Sequence, residues 1–353
     1  MKIAIICDSH FGVRNDNPVL MENAQKSLEW FFTHVQENNI NTVLHLGDLF
    51  DRRKYVNFKT ALFARKNFLE RLQSLSINTH IITGNHDLYY KDTHEVNSLF
   101  EIVGDRYSNI KIYDRPVKLE FDGTEIQLMP WITDSNADES YDAIKNTTAE
   151  ILMGHLEIKG FELMKGRICD HGDDINLYDR FDLVFSGHFH KKSSISNIHY
   201  LGAFGEYTWS DYNEARGFTI FDTATREFEL IKNPYVLHKV VNYDDETGQS
   251  ITFDNDEYKD TFVKVICGKR DNLYAFDMFI DRLYKTTPSD IIVVEDMSQV
   301  LQDENMEEIG EAQDTPSILR SYIQSLTFPV ESAIVVDYMD ALYQEAASTK
   351  FTD

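Results

Sequence analysis

The sequence predicts an α/β fold, and three observations carry that prediction. Residues 1–90 alternate short apolar runs with longer amphipathic ones, the βαβαβ pattern of a mainly parallel sheet sandwiched by helices. Beyond Asn109 the pattern becomes rich in short strands. Near Asn233-Pro234 the charge balance shifts, which sets off a C-terminal part with a different role. The chain has 353 residues, 42% apolar and 26% charged, enough for a sizeable core and inconsistent with disorder as the main state.

Each element has its own signal. Ile3–Cys7 reads as a buried first strand rather than a leader, because one basic residue and a short apolar run do not make a signal peptide. Residues 20–37 read as a helix with Leu20, Ala24, Leu28, Phe31 and Val35 on one face. Thr42–Leu46 is the second strand, residues 57–75 the second helix and Thr79–Thr83 the third strand. The β-rich part offers Ile110–Tyr113, Val117–Phe121, Glu125–Met129, Ile151–Gly154 and Leu183–Ser186, then Ile198–Leu201, Gly217–Asp222 and Glu227–Ile231. Asp122-Gly123 between two alternating runs signals a hairpin.

No apolar run approaches the roughly 20 residues that span a bilayer, which argues against a transmembrane protein. Cys7, Cys169 and Cys267 are odd in number and widely spaced, so they suggest no disulfide framework and a reducing cytosol. The net charge of −25, taken whole, argues against nucleic acid or a membrane surface as partner. Resolved along the chain it does not. Residues 241–353 hold 24 of the 59 acidic but only 8 of the 34 basic side chains.

The residues just after each strand carry the chemistry. The first strand ends in Asp8-Ser9-His10, the second in Gly47-Asp48-Leu49-Phe50-Asp51, the third in Gly84-Asn85-His86-Asp87. Two later strands end in Gly154-His155 and Ser186-Gly187-His188-Phe189-His190. Carboxyl ends of parallel strands are where open α/β sheets bind ligands. Any one motif alone is better read as a turn, a cap or chance; five in succession are not. Converging Asp, Asn and His without Cys favour a borderline-hard ion, manganese ahead of magnesium, iron or zinc. Seven candidate ligands exceed one ion's needs and suggest two, with Asp48 bridging, the arrangement of two-metal phosphoester hydrolysis. His34, His45, His80, His94, His171, His199 and His238 lack a motif and read as core or surface residues. His171 sits in the polar loop Cys169–Asp174, where a solvated loop is the better reading than an ion site.

The order Asp-x-His, Gly-Asp-x-x-Asp, Gly-Asn-His-Asp, Gly-His, Gly-His-x-His resembles the calcineurin-like metallophosphoesterase superfamily over roughly residues 1–231. Asp8-Ser9-His10-Phe11-Gly12, an Asp rather than a His at position 51, and the tail beyond residue 240 resemble its DNA double-strand-break repair nucleases of the SbcD type, phage recombination nucleases included. That resemblance implies a two-sheet αββα sandwich with a small α+β capping domain and a C-terminal helical tail. It implies that Asp8, His10, Asp48 and His190 hold one metal and Asp48, Asn85, His155 and His188 the other. His86 would be the catalytic histidine near the leaving oxygen, with Asp87 orienting it.

An acidic nuclease needs local positive charge. Arg52-Arg53-Lys54 and Lys191-Lys192 directly follow ligand motifs and are the DNA-binding candidates, with Lys159, Lys165 and Arg167 in the loop after His155. Tyr55, Phe58, Tyr89, Tyr90, Phe161 and Trp209 are aromatic neighbours suited to base stacking, although each alone reads first as core or surface.

Residues 236–243, 261–267, 271–285 and 290–295 read as a ββαβ unit resembling the family's capping domain. Asp303–Glu311 is an acidic linker. Two short amphipathic helices follow, with stripes Ile318, Leu319, Tyr322, Ile323, Leu326 and Ile334, Val335, Tyr338, Leu342, Tyr343, separated by Phe328-Pro329. Beyond a linker and without a core of their own, they fit a partner's groove better than their own domain. In the resembled family this tail docks on the coiled-coil base of an SMC-like ATPase.

The expected organisation is therefore a nuclease domain over 1–233, a capping domain over 234–300, a linker over 301–314 and a partner-binding tail over 315–353. The expected function is that of the cytoplasmic nuclease subunit of an ATP-regulated double-strand-break repair and recombination complex, using two divalent ions, manganese first and magnesium second. The resemblance implies 3′-to-5′ duplex exonuclease and single-strand endonuclease activity, and a homodimer within a heterotetramer. The alternatives are a phosphoprotein phosphatase or nucleotidase of the same superfamily, or a scaffold subunit, which broken metal motifs would have marked.

Overall fold

A computed structural model describes residues 1–164, 167–248 and 250–294, together with Val336 and Met339. Two six-stranded sheets form the body. The first runs β14-β13-β1-β2-β3-β4, with β1 Lys2–Ile6, β2 Thr42–His45, β3 Asn78–Ile82 and β4 Ile110–Tyr113 mutually parallel, and β13 Gly217–Asp222 and β14 Phe228–Lys232 closing it antiparallel. The second runs β11-β12-β10-β7-β6-β5. In it β6 Thr124–Met129, β7 Ile151–His155, β10 Leu183–Gly187 and β12 Ile198–Tyr200 are parallel, flanked by antiparallel β5 Val117–Phe121 and β11 Ser193–Ile195. A small β-ribbon, β8 Glu162–Met164 with β9 Arg167–Ile168, lies between β7 and β10. Asp122 and Gly123, both at positive φ, make the two-residue hairpin turn between β5 and β6.

Alternation along the strands explains the layering. Ile3, Ile5 and Cys7 of the first sheet pack with Ile126, Ile151, Met153 and Phe185 of the second, so the sheets share an apolar core. Ala4, Ile6 and Val43 point the other way, onto Leu28, Phe31, Phe32, Phe68 and Leu72 of the helix Pro18–Glu37 and the helical run 58–74. The outer face of the second sheet is covered by helix Ala137–Asn146 and the Tyr178 region. Helices thus cover one face of the first sheet, not both as the βαβαβ pattern alone suggests; its other face meets a second sheet. The result is the αββα sandwich.

The second helix is interrupted by a π turn at Arg65–Leu69. Helix Ala137–Asn146 was not legible in the sequence, because it buries little besides Ser140 and Ile144 and carries no long apolar stripe. Beyond Asn233, β15 His238–Tyr243, β16 Phe262–Cys267 and β17 Asp290–Val294 form a parallel three-stranded sheet. Helix Leu273–Tyr284 packs Phe276, Phe279 and Leu283 on Val263 and Val265. The buried carboxylate of Glu206 accepts the N–H groups of Leu237 and His238 at 2.8 and 2.9 Å, tying this sheet to the body. The linker and both tail stripes, Ile318 to Leu326 and Ile334 to Leu342, lie outside the described residues.

Candidate metal centre

The five motif strands end at one edge of the sandwich, β1, β2 and β3 from the first sheet and β7 and β10 from the second. Backbone contacts lock the two sheets there: His155 Nδ1 donates to the Leu46 carbonyl at 2.7 Å, and His188 N–H donates to the Asp8 carboxylate at 3.0 Å. All seven expected ligands meet at this edge. Asp8, His10 and His190 offer donor atoms within 4.8 Å of one another, as do Asp48, His155 and His188, and His10, Asp48 and His86. Asn85 Oδ1 joins the second group at 2.9 Å from His155 Nε2 and 3.0 Å from His188 Nδ1. Asp48 Oδ2 lies 3.7 Å from His10 Nε2 and 3.3 Å from His155 Nε2, so the structure puts its carboxylate between the two groups.

The backbone is bent to achieve this. Asp8, His10, Asp48 and His188 all adopt positive φ, between 43° and 83°, a region non-glycine residues rarely occupy. Four such residues among the seven candidate ligands mark a site whose geometry the fold imposes.

The donor set fits cations. His155 gives its Nδ1 proton to a carbonyl, so in the neutral ring Nε2 is a lone pair, yet it faces the oxygen of Asn85. His10 Nε2 and His190 Nε2 face each other at 3.0 Å. Lone pairs pointed at one another repel unless a cation or a proton sits between them. Without metal, protons do so. Burial lowers the pKa of His155, but Asp48 outweighs it and lifts the ring to about 9. Burial likewise opposes the charge on His10, yet Asp51 and Asp48 raise it to about 10. Burial and the neighbouring His10 cation push His190 well below the ordinary histidine value. Burial raises Asp8 to about 6, while Asp48, against burial, is held well below the ordinary carboxylate value by His155 and His86.

The contacts of two residues differ from those expected, beginning with Asp87. Its buried carboxylate accepts the backbone N–H groups of Gly84, Asp48, Leu49 and Phe50 at 2.9 to 3.3 Å, bracing the β2 and β3 loops together. Asp51 contacts His86: its carbonyl accepts from His86 Nδ1 at 2.5 Å, and its carboxylate lies 3.3 Å from His10 Nδ1. An aspartate motif suggests a carboxylate partner, and only the fold reveals that the main chain does the holding.

The rim residues are partly engaged. Arg52 pairs with Asp16 at 3.8 Å, Lys191 with Glu162 at 2.7 Å and Glu214 at 3.8 Å, and Lys159 with Asp174 at 2.7 Å. Arg53 is partly exposed, and Lys54 and Lys192 are exposed. Lys165 and the Arg167 side chain lie outside the described part. Tyr55, Phe58, Tyr89 and Tyr90 are exposed, whereas Phe161 and Trp209 are buried and do not stack on bases. Phe161 sits in the core under the second sheet, and Trp209 lies beneath the Lys264 ammonium, 4.4 Å from the ring centroid.

Several residues at the site escaped the motif reading. Trp131 packs its ring 4.8 Å from His188 and 5.8 Å from His155. Tyr207 sets its hydroxyl 2.7 Å from the Asp8 carbonyl and its ring edge-on to His10. The buried Arg216 holds the His190 carbonyl and Asp211. The aromatic and polar run Gly205–Asp211 is the sequence signal for Tyr207, whereas Arg216 lies beyond it and has none.

Comparison with known proteins finds similarity over most of the chain. The calcineurin-like phosphoesterase family model matches residues 1–192. Exonuclease subunit 1 of Enterobacteria phage T4 is 31% identical over 349 residues, spanning 98% of this chain and 99% of that protein. The D subunit of the SbcCD nuclease of Staphylococcus epidermidis is 26% identical, over 67% of this chain and 73% of the relative. Its counterpart in Staphylococcus saprophyticus is 24% identical over 68% of each.

Proposed function

Since the chain belongs to the calcineurin-like phosphoesterase family, we propose that it is a DNA nuclease, the phosphodiester-cleaving subunit of a double-strand-break processing and recombination complex. The observation that carries this reading is the convergence of two donor groups on Asp48 at one sheet edge. When bound, two divalent ions supply Lewis-acid polarisation of a phosphate and acidification of a water. Asp8, His10, Asp48 and His190 would hold one, and Asp48, Asn85, His155 and His188 the other. Manganese suits this mixed oxygen and nitrogen set best, with magnesium second.

The chain's own residues do the rest. Asp51 fixes Nδ1 of His86 as the protonated nitrogen, so proton exchange with the leaving oxygen falls to Nε2. Asp87 keeps the loops carrying Asp48 and His86 in register. Arg52, Arg53, Lys54, Lys191 and Lys192 would line the path of the DNA backbone.

A nuclease is favoured over a phosphatase or nucleotidase because the relatives spanning most of the chain are named nucleases. Their being named as subunits supports a partner, which we take to be an SMC-like coiled-coil ATPase bound by residues 315–353, with residues 234–300 capping the site. Among the described residues no helix is long and apolar enough to cross a membrane.

The test compares wild type and His86→Ala on 3′-labelled duplex DNA with Mn²⁺ and with Mg²⁺. Wild type should degrade the DNA, best with Mn²⁺, and His86→Ala should lose at least about 100-fold while still binding Mn²⁺. A protein that hydrolyses phosphopeptides or nucleotides and leaves DNA intact would refute the reading.

A further inference from the structure

Glu157 lies on the loop after β7, outside every motif. One oxygen of its carboxylate, Oε1, sits 3.4 Å from His188 Nε2 and 3.2 Å from His171 Nε2. His188 turns its other nitrogen, Nδ1, to Asn85 Oδ1. The ring is therefore spanned between a carboxylate outside the metal centre and a donor atom inside it. His155 uses the opposite arrangement, anchoring Nδ1 on a carbonyl and presenting Nε2 inward, and His10 likewise presents Nε2 inward with Nδ1 3.3 Å from the Asp51 carboxylate. His188 alone must present Nδ1, so it needs its own acceptor for Nε2–H.

The main chain of Glu157 is pinned for this task. Its carbonyl accepts Asp173 N–H at 2.8 Å, and Ile158 bridges to Asp173. Gly172, at φ +86°, passes so close that a Cβ there would lie 2.3 Å from the Glu157 oxygen. The polar loop Cys169–Asp174 is thus docked on the Glu157 segment and delivers His171 to the carboxylate.

We propose that Glu157 is a positioning residue for the metal centre. It accepts Nε2–H of His188, fixes the tautomer whose Nδ1 lone pair faces the ion, and is itself steadied by His171. Carboxylate partners of ligating histidines orient the ring and raise its basicity, and losing one typically costs 10–100-fold in metal affinity. The inference rests on reading His188 as a ligand.

Two readouts on the full-length protein test it. Long-range ¹⁵N–¹H spectra of the metal-free, histidine-labelled protein, assigned with His188→Gln, should show a proton on His188 Nε2 whether or not Nδ1 also holds one toward Asn85 Oδ1. In Glu157→Ala the Nε2 proton should be lost, leaving the ring protonated on Nδ1 alone. Calorimetry with Mn²⁺ should show one of two sites weakened about 10–100-fold in Glu157→Ala. Glu157→Gln, whose amide oxygen still accepts, should keep both the tautomer and most of the affinity, which a merely structural defect would not allow. Wild-type tautomer and Mn²⁺ affinity in Glu157→Ala, or equal damage from Gln and Ala, would overturn the proposal. If wild type binds no Mn²⁺, the ligand reading fails instead, and the spectra still decide whether Glu157 sets the His188 tautomer.

Discussion

His10 and His155 hold protons in the metal-free site at neutral pH, because each faces carboxylates that outweigh its burial. Divalent ions need the same lone pairs, so loading must expel those protons. Raising the pH removes the competing proton and therefore strengthens binding. Mn²⁺ affinity should rise between pH 6 and 8, by up to about tenfold per pH unit for each proton released. Calorimetry in buffers of differing ionisation enthalpy measures the release directly, and a pH-independent affinity would contradict it. At this scale the residues that meet in the donor clusters were legible, since Asp, Asn and His directly after apolar strands leave a linear trace. Asp51 and Glu157 were not. Their roles arise from a carbonyl direction and from a loop brought back in space, and neither leaves a spacing in the chain.

Strand ends, not side chains alone, set the spacing of the centre. The β2 and β3 loops touch main chain to main chain, with Gly47 at φ +88°. A Cβ on Gly84 would fall 2.1 Å from Asp48 Oδ1 and 2.4 Å from Asp48 N, where no rotamer change relieves the clash. Gly84→Ala should therefore displace Asp48, abolish Mn²⁺ binding and destabilise the fold by about 1–3 kcal/mol, read by calorimetry and thermal unfolding. Wild-type values in both would show that the loops are not in forced contact. The strands themselves were legible as short apolar runs, alternating only on either side of Asp122-Gly123, which predicted β1 to β7 to within a residue. What covers each face was not. An inward apolar row looks the same whether a helix or a second sheet lies against it, so the sandwich came from the family resemblance rather than from periodicity.

Over the whole molecule, a charge of −25 must coexist with a polyanionic substrate. Part of the answer is distribution, since residues 241–353 hold 24 of the 59 acidic side chains. Part is the site, where buried Asp8 and Asp48 would face divalent ions. The rim is weaker than the sequence suggests, because Arg52 and Lys191 already hold Asp16, Glu162 and Glu214. Even surface pairs of this kind, here partly exposed, are worth roughly 0–1 kcal/mol, so a phosphate can compete for these cations, but at reduced gain. Replacing Arg52, Arg53, Lys191 and Lys192 together with Ala should lower duplex DNA cleavage by at least about tenfold at near-physiological salt. Hydrolysis of a small phosphodiester should be spared. Each phosphate that goes unneutralised should flatten the salt dependence by about 0.9 in log–log slope. Because Arg52 and Lys191 are already paired with carboxylates, the total flattening should fall short of four such increments. Equal loss on DNA and on the small ester would place these residues in the fold or the chemistry instead of the DNA path.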